Sequence, residues 1–224
     1  DTAIYSNVDG KYMGPKSLVE NRGCDLPTTL SGDPYLPQIK ATTLDFGLRG
    51  NFNDHTTWNI GIYRTEPKDD IYLIGYPGNR NFFDTIGDTR RQGLEAGIST
   101  AFKKWQFQLN YAMTEATFQN TFWMPANDNS SSVENFYGNM EYSRRIQVEP
   151  GDRMPGVPLH NLNATVAYNL TPKWQVGLTA IAHSSSYVRG NENNEHRAGE
   201  IITDTLENYD GEQIRVNRKA TLNK

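Results

Sequence analysis

The stretch from Ile86 to Met113 alternates apolar and polar residues with a period of two on both sides of a turn at Lys103–Lys104. Such alternation assigns one residue type to each face of a β-sheet. The apolar face would carry Leu94, Ala96, Ile98, Thr100, Phe102, Trp105, Phe107, Leu109, Tyr111 and Met113. In a soluble sandwich this face would be the core, whereas in a membrane barrel it would meet lipid around a wet lumen. The period alone leaves both architectures open.

The composition narrows the classes of protein that remain. Hydrophobic residues make up 36% of the 224 residues and mean hydropathy is -0.70, which undersupplies a large dry core. No run approaches the roughly 18 apolar residues of a membrane-spanning helix, so a membrane protein of this composition would be a barrel. The net charge of -4 argues against nucleic-acid binding. The lone Cys24 excludes an internal disulfide and a cysteine-clustered metal site.

The same alternation predicts six strands between residues 40 and 183. They fall at about 41–52, 57–74, 94–102, 105–113, 162–170 and 174–180. Residues 1–39 are rich in glycine and proline and are predicted to be a loop region. Residues 114–156 are predicted to be one long polar loop within the six-strand segment. Residues 184–224 are predicted to be a further loop, in which residues 213–221 hint at another strand.

The lengths of the connections favour the membrane barrel. Turns near residues 54, 103 and 172 are short, whereas the connections near residues 80 and 135 and after residue 183 are long. Outer-membrane barrels have short periplasmic turns and long extracellular loops in the same alternation. We therefore predict an all-β fold, an antiparallel meander that forms part of a transmembrane β-barrel, with residues 1–39 and 184–224 on the extracellular side.

Aromatic residues repeat at the three short turns. Each turn is followed at once by a tryptophan and preceded by another aromatic residue, all on the apolar face: Trp58, Trp105, Trp174, Phe52, Phe102 and Tyr168. Side by side in a meander, these rings would form the aromatic girdle of a membrane interface. A soluble module would instead have to bury the three tryptophans in a core. The environment of these tryptophans therefore discriminates between the two architectures.

Four blocks of sequence resemble the barrel of TonB-dependent outer-membrane receptors, and they occur in the family's order over about residues 36 to 195. Leu36–Gln38 with Thr42–Gly50 is similar to the start of a strand after an extracellular loop. Residues 88–98 resemble the R-x-G-x-E strand, and residues 153–168 resemble the "lPg.P.h..n..v.Y" segment. Residues 186–194, SYVRGNENN, resemble a motif that ends in RGDE.N, with Asn191 where aspartate is usual.

The resemblance implies a place in the bacterial outer membrane and energy-coupled import of a scarce ligand. That ligand is usually a ferric siderophore, and sometimes haem, cobalamin or a glycan. The implied partners are membrane lipid, the ligand, and the TonB complex acting through an N-terminal plug domain. Six strands stand here where about 22 enclose a plugged lumen, and neither the plug nor a closing aromatic strand is recognisable. We therefore expect a piece of a larger receptor.

In such a receptor the extracellular loops and the upper lumen bind the ligand. Guanidinium groups suit anionic chelates, and aromatic rings in the same loops can stack on a planar ligand. The candidates are Arg90, Arg91, Trp123, Tyr137, Arg144, Arg145, Arg153, Tyr187 and Arg189. The alternative for each arginine is an ordinary ion pair with a loop carboxylate. The alternative for each aromatic ring is a contact between loops.

No sequence pattern supports catalysis, a metal site or a cofactor. The four histidines have no pair at metal-ligand spacing, and neither a GxSxG motif nor a phosphate-binding glycine loop occurs. We therefore expect a protein that is not an enzyme. Two rival functions stay open at this point: a soluble all-β ligand-binding module and a passive outer-membrane porin.

Overall fold

The structure, a computed structural model, describes residues 36–76, 80–137, 140–207 and 213–222. Within these ranges the chain is built from thirteen strands. They are β1 (Lys40–Asn53), β2 (Thr56–Lys68), β3 (Asp70–Tyr76), β4 (Arg80–Gly87), β5 (Thr89–Phe102), β6 (Trp105–Phe118), β7 (Phe122–Pro125), β8 (Val133–Tyr137), β9 (Met140–Val148), β10 (His160–Thr171), β11 (Trp174–His183), β12 (Ile201–Glu207) and β13 (Gln213–Lys219). None of the described residues belongs to a helix of the length and apolarity needed to span a membrane. Cys24 lies outside the described residues.

Six long strands form one antiparallel sheet in the order β1-β2-β5-β6-β10-β11. Short turns at residues 54–55, 103–104 and 172–173 join its three hairpins, at the positions predicted from the sequence. The other strands form three small sheets, β3-β4, β7-β9-β8 and β12-β13. The predicted antiparallel meander of six strands is confirmed.

The pairing register carries each side-chain type across the sheet. One apolar row runs through Leu48, Ile60, Ala96, Tyr111, Leu162 and Ala182. The neighbouring row on the opposite face runs through Arg49, Asn59, Gly97, Asn110 and Asn163. The period of two in the sequence therefore becomes one apolar face and one mainly polar face, because side chains alternate along every strand.

The apolar face of this sheet is not a protein core. Trp174 and Leu178 are 71% and 70% exposed, and Trp105 is 44% exposed. The polar face is also open along most of its length. A soluble sandwich would bury the apolar face against a second layer, and nothing in the described residues covers it. The register of the tryptophans thus contradicts the soluble module and agrees with a barrel wall.

The aromatic residues beside the short turns contact each other on the apolar face. The rings of Phe52 and Trp58 are 5.8 Å apart, and those of Trp105 and Tyr168 are 4.6 Å apart. Phe102 pairs directly with Trp105 across the β5–β6 hairpin. Successive turns are offset in one direction along the strands, as tilted barrel strands require. This offset is seen where the N–H of Ala101 donates to His55 and the N–H of Asn169 donates to Lys104.

Gly93, the glycine of the R-x-G-x-E pattern, is required by a close approach between strands. Tyr63 on β2 pairs with Gly93, and its hydroxyl lies 3.1 Å from that of Thr114 on β6. The tyrosine ring therefore crosses β5 at the glycine. A Cβ at this position would lie 2.1 Å from the carbonyl oxygen of Met113 and 2.9 Å from the Tyr63 hydroxyl. Only a residue without a side chain allows this crossing.

Two strand boundaries predicted from the sequence are wrong. The second predicted strand continued to residue 74, but β2 ends at Lys68 and a separate strand, β3, begins at Asp70. Asp69 has a φ of 54°, a left-handed conformation that interrupts the pleat. The predicted loop at residues 75–83 is also wrong, because β3 and β4 pair along Asp70–Tyr76 and Arg80–Gly87.

The polar stretch after residue 113 contains more structure than predicted. Strand β6 continues to Phe118, and β7, β9 and β8 form a three-stranded sheet inside the predicted loop. Here neighbouring residues such as Thr117 and Phe118 are both buried, so polar and apolar residues no longer mark opposite faces. The predicted strand at 213–221 is observed as β13, whereas its partner β12 has no counterpart in the predicted elements.

Candidate functional site

The end of the sheet opposite the short turns carries a folded layer, which we call the loop layer. It comprises β3, β4, the sheet β7-β9-β8, the connection 149–159 and the described residues 184–207 and 213–222. An apolar cluster joins β3 and β4 to the end of β6 and to the sheet β7-β9-β8: Ile74, Ile86, Phe118, Met124, Ala126, Ile146 and Val148. The Phe118 ring contacts Tyr72 edge-on at 5.7 Å and Phe122 at 5.2 Å between centroids. The loops are therefore packed against each other over the strand ends.

Glu192, within the SYVRGNENN segment, is buried at the centre of this layer. Its carboxylate accepts hydrogen bonds from the hydroxyl of Tyr72 at 3.0 Å and from the N–H of Gly190 at 2.9 Å. Arg189 lies over the Tyr72 ring at 5.4 Å and donates to the carbonyl of Leu73. Burial raises the pKa of Glu192, and burial with the Glu192 charge raises the pKa of Tyr72. These contacts join the loop at residues 184–200 to β3.

The asparagines of the same segment fasten two further loops. Buried Asn129 donates to the carbonyl of Gly190 at 2.8 Å and to Asn193 at 3.2 Å. Asn194 accepts from the N–H of Arg153 at 2.7 Å and donates to its carbonyl at 3.0 Å. Asn191 accepts from the N–H of His196 at 2.9 Å. Because an amide oxygen accepts this bond as an aspartate would, the departure from the family pattern at Asn191 leaves it intact.

Arg153 and Tyr187, two of the predicted ligand contacts, line one cavity of about 500 Å³ in the loop layer. The guanidinium carbon of Arg153 lies 5.6 Å from the centre of the Tyr187 ring. Arg153 also donates to the carbonyl of Val157 at 3.3 Å, which orients it. The other lining residues are Ser185, Ser186, Val188, Asn191 and His196. The lining therefore offers a cation, hydroxyls and an aromatic ring, with no carboxylate among its residues.

Trp123 and Arg145, two more predicted contacts, line a second cavity of about 250 Å³. Arg145 lies 4.5 Å over the Trp123 ring, and its buried Nε has no hydrogen-bond partner among the described residues. Three carboxylates line the same cavity, those of Glu149, Asp152 and Glu195. Burial, with the nearby charges of Glu149 and Glu195, raises the pKa of Asp152. This cavity is therefore more negative than the first and less suited to an anion.

The remaining predicted arginines have partners within the protein. Arg90 lies 3.2 Å from Glu66, and Arg91 lies 3.0 Å from Asp70. Arg144 is buried and binds Ser132 Oγ at 2.9 Å, Asp204 at 2.9 Å, and the carbonyls of Ser132 and Thr203. A ligand would have to displace these partners. Tyr137 lies on β8, where the described structure covers the backbone and not the side chain.

The predicted contacts do not include the residues that position the two cavities. Glu192, Asn129, Asn193 and Tyr72 bind each other and the loop backbones but lie on no periodic face. The run of polar residues inside the SYVRGNENN motif is a signal for Glu192 and Asn193, whereas Tyr72 lies in a predicted strand and Asn129 in a predicted loop. Among the described residues, no group of three histidine, cysteine, aspartate or glutamate side chains could hold a metal ion.

The exposed apolar sheet and the folded loop layer can be compared with known proteins. The family model described as TonB dependent receptor-like, beta-barrel matches residues 3–216. The chain belongs to this family. A search of curated proteins finds no match.

Membership explains the geometry of both regions. The six-stranded sheet is part of a transmembrane β-barrel with short periplasmic turns and long extracellular loops, and the loop layer lies at the end of the strands opposite the short turns. TonB-dependent receptors are located in the bacterial outer membrane and act as transporters of small ligands together with TonB. They are a receptor family and not a family of enzymes. The resemblance predicted from four blocks of sequence is thus confirmed.

Proposed function

We propose that this chain forms part of the wall and vestibule of a receptor in the bacterial outer membrane that imports a ferric siderophore. The observation that carries the ligand class is the cavity around Arg153 and Tyr187. Its volume of about 500 Å³ falls within the range of small-molecule sites, roughly 300–1,000 Å³. Its position within the extracellular loop layer exposes it to ligands that arrive from outside the cell.

The chemistry of this cavity fits an anionic chelate with planar groups. Arg153 can donate paired hydrogen bonds to chelate oxygens, and charge-assisted bonds of this kind are about twice as strong as neutral ones. The Tyr187 ring offers a flat surface for a planar iron-binding group. The hydroxyls of Ser185 and Ser186 add further donors. The absence of a carboxylate from the lining residues removes the main source of repulsion.

The other predicted contacts take different roles in this proposal. Trp123, Arg145 and Tyr137 belong to the surrounding vestibule as secondary contacts. For Arg90, Arg91 and Arg144, the observed carboxylate partners favour the alternative of an ordinary ion pair. Arg189 instead donates to the carbonyl of Leu73. These four arginines would stabilise the strand ends and the loop layer without touching the ligand.

The sheet supplies the wall of the import channel. Its apolar face would meet lipid, with Phe52, Trp58, Phe102, Trp105, Tyr168 and Trp174 as a girdle at the periplasmic interface. Its polar face would meet water and a plug domain, which couples transport to the TonB complex. Residues available for this contact are Glu95, Gln106, Gln108, Asn110 and Asn163.

The test uses the full-length receptor in two experiments. Uptake of radiolabelled ferric siderophores of the source bacterium is measured in iron-starved cells, and binding to the purified receptor is measured by fluorescence quenching. We expect R153Q to weaken binding by about tenfold or more, since a charged hydrogen bond contributes about 1.5–3 kcal/mol. Y187L should weaken it by a smaller factor. Failure of every siderophore to bind would refute the proposed ligand class.

Arg197 provides the matched control. It is an exposed arginine in the same loop whose side chain does not line the cavity. R197Q removes the same charge from the same neighbourhood, so general electrostatic attraction falls equally in both variants. If R153Q and R197Q weakened binding to the same extent, the cavity would not be the binding site, even though the receptor bound siderophores.

A further inference from the structure

The lipid-facing side of the sheet contains a shallow depression of about 300 Å³ across β5, β6, β10 and β11. Small residues create it: Ala164 and Ala180 continue the row of Ile98 and Leu109. Phe107, Val166 and Leu178 line the adjacent row on the side of the short turns. Contact with the hydrocarbon of a membrane requires only an apolar surface and no depression. The alternation of apolar and polar residues therefore does not explain the depression, which results from the small side chains on these four strands.

The inside of the depression is suited to hydrocarbon. Its lining side chains on this face are aliphatic or aromatic except for Thr100. The Thr100 hydroxyl is already hydrogen-bonded to that of Thr56 at 2.7 Å. The depression therefore offers a ligand no free polar group from this face, and a polar molecule would lose its hydration there without compensation.

A cluster of positive charge lies at the periplasmic end of the same strands. Lys103 and Lys104 form the β5–β6 turn and Lys173 lies in the β10–β11 turn, and all three are exposed. Lys103 follows Thr100 by three residues, which is about 10 Å at ~3.4 Å per residue. No acidic residue occurs in either turn. The acidic residue of the short turns, Asp54, belongs to the β1–β2 hairpin.

The aromatic row separates the depression from the lysines. Phe102, Trp105 and Tyr168 pair across β5, β6 and β10 between the two features. Aromatic girdles lie at the level of lipid headgroups, so the lysines reach the headgroup region and the depression lies among the acyl chains. One lipid molecule of the periplasmic leaflet has its charged and apolar parts at these two levels.

We propose that β5, β6, β10 and β11 form a binding site for one anionic phospholipid of the periplasmic leaflet. An acyl chain fills the depression beside Ala164 and Ala180, and the phosphate binds Lys103, Lys104 and Lys173. Clustered lysines at a membrane surface attract anionic lipid, and lysine is a common phosphate ligand. The site is independent of the transported ligand, because it lies on the outer wall at the opposite end of the strands.

The test measures lipids that remain on the purified full-length receptor. The receptor is equilibrated with phosphatidylglycerol and phosphatidylethanolamine in equal amounts, and bound lipids are counted by native mass spectrometry. We expect the double variant K103Q/K104Q to lower the preference for phosphatidylglycerol roughly tenfold. A180L, which fills the depression, should abolish the tightly held lipid. The arginine pair K103R/K104R should restore the preference.

Two matched controls lie on the same sheet. A182L adds the same carbons to the same face, one side-chain position along β11 and outside the depression. K40Q/K68Q removes a cross-strand pair of lysines at the extracellular end. Both controls should retain the lipid and its selectivity. Heat-modifiable mobility on gels establishes that each variant has a closed barrel.

Several outcomes would overturn the proposal. Equal lipid retention in A180L and A182L would show that the depression holds no chain. Loss of selectivity in K40Q/K68Q as well as in K103Q/K104Q would show general attraction to anionic lipid and no defined site. Dimers in the native receptor that disappear in A180L would show that a second copy occupies this face instead.

Discussion

The six-stranded sheet and the loop layer follow opposite packing rules within one chain. In the sheet, apolar residues such as Phe107 are 45% exposed and the strands contact only their neighbours. In the loop layer, Phe118 is 1% exposed and two separate connections, β3–β4 and the stretch between β6 and β10, pack around it. Both phenylalanines lie on the same strand, β6. One end of this strand therefore lies in a sheet whose apolar face must contact lipid. The other end lies in a layer that buries its apolar residues in a core of its own.

This difference shows which free-energy terms stabilise each region. The sheet is stabilised by lipid around its apolar face and by the hydrogen bonds between its strands. These hydrogen bonds matter most in the membrane, because hydrocarbon cannot replace them. The loop layer must stabilise itself in water by burying apolar surface and by satisfying the polar groups that it buries. The hydrogen bonds of Glu192, Asn129 and Arg144 satisfy polar groups that the loop layer buries.

The largest expected effect on stability comes from replacing a phenylalanine by alanine in the loop layer, compared with the same replacement in the sheet. F118A should destabilise the loop layer by about 3–5 kcal/mol, because it leaves a cavity in a packed core. F107A should cost much less, because lipid can fill the space on the apolar face. Protease resistance of the extracellular loops in intact cells measures the first effect, and the temperature at which the barrel loses its heat-modifiable mobility measures the second.

Protease resistance and barrel thermal stability, measured on both variants, show whether each substitution affects only its own region. F118A should make the loops sensitive to protease while the barrel keeps its thermal stability. F107A should leave the loops resistant. If F118A lowered barrel stability as much as it opened the loops, the two regions would unfold as one cooperative unit and not as two.

The sheet could be predicted from the sequence because apolar and polar residues alternate regularly along its strands. Each face has one environment along the whole strand, so alternation alone identified the six strands, the three turns and the position of the tryptophans. The predicted end of one strand is wrong because that strand meets two environments. Strand β6 continues past Met113 to Phe118, where Thr117 and Phe118 are both buried and the period disappears.

The candidate site was predicted in part for a related reason. Arginine and aromatic types in polar loops predicted single candidates such as Arg153 and Tyr187, and the structure places Arg153 with Tyr187, and Arg145 with Trp123, around one cavity each. Which arginines are free for a ligand depends on contacts between distant loops. Arg144 binds Asp204, 60 residues away, and sequence spacing gives no measure of such a contact.

A smaller effect tests the two faces of the sheet against each other. L109R places a charge on the apolar face and should destabilise the barrel by about 2–4 kcal/mol if that face meets the middle of the membrane. Q108R places the same charge one residue away on the polar face, where water can solvate it, and should be nearly neutral. The amount of heat-modifiable barrel in the outer membrane measures both, and equal loss in the two variants would contradict the assignment of faces.

The smallest effect concerns pH and the buried carboxylate of the loop layer. Burial raises the pKa of Glu192 above its ordinary value of 4.5, so the closed loop binds the proton more tightly than the open loop. The contribution of Glu192 to loop closure is therefore complete below about pH 4.5 and is lost as the pH rises through the raised pKa. Hydrogen-exchange protection of residues 189–193, corrected for intrinsic rates, should fall over this range.

E192Q separates this titration from packing. Glutamine has a similar shape, can accept from the N–H of Gly190 and can donate to the Tyr72 oxygen, but it does not ionise. Protection in E192Q should therefore stay level as the pH rises, and at neutral pH it should exceed that of the unchanged protein. A decline of the same slope in both proteins would assign the pH dependence to other groups. The apolar face of the sheet has no such buried acid, so its amides should show no matching change in either protein.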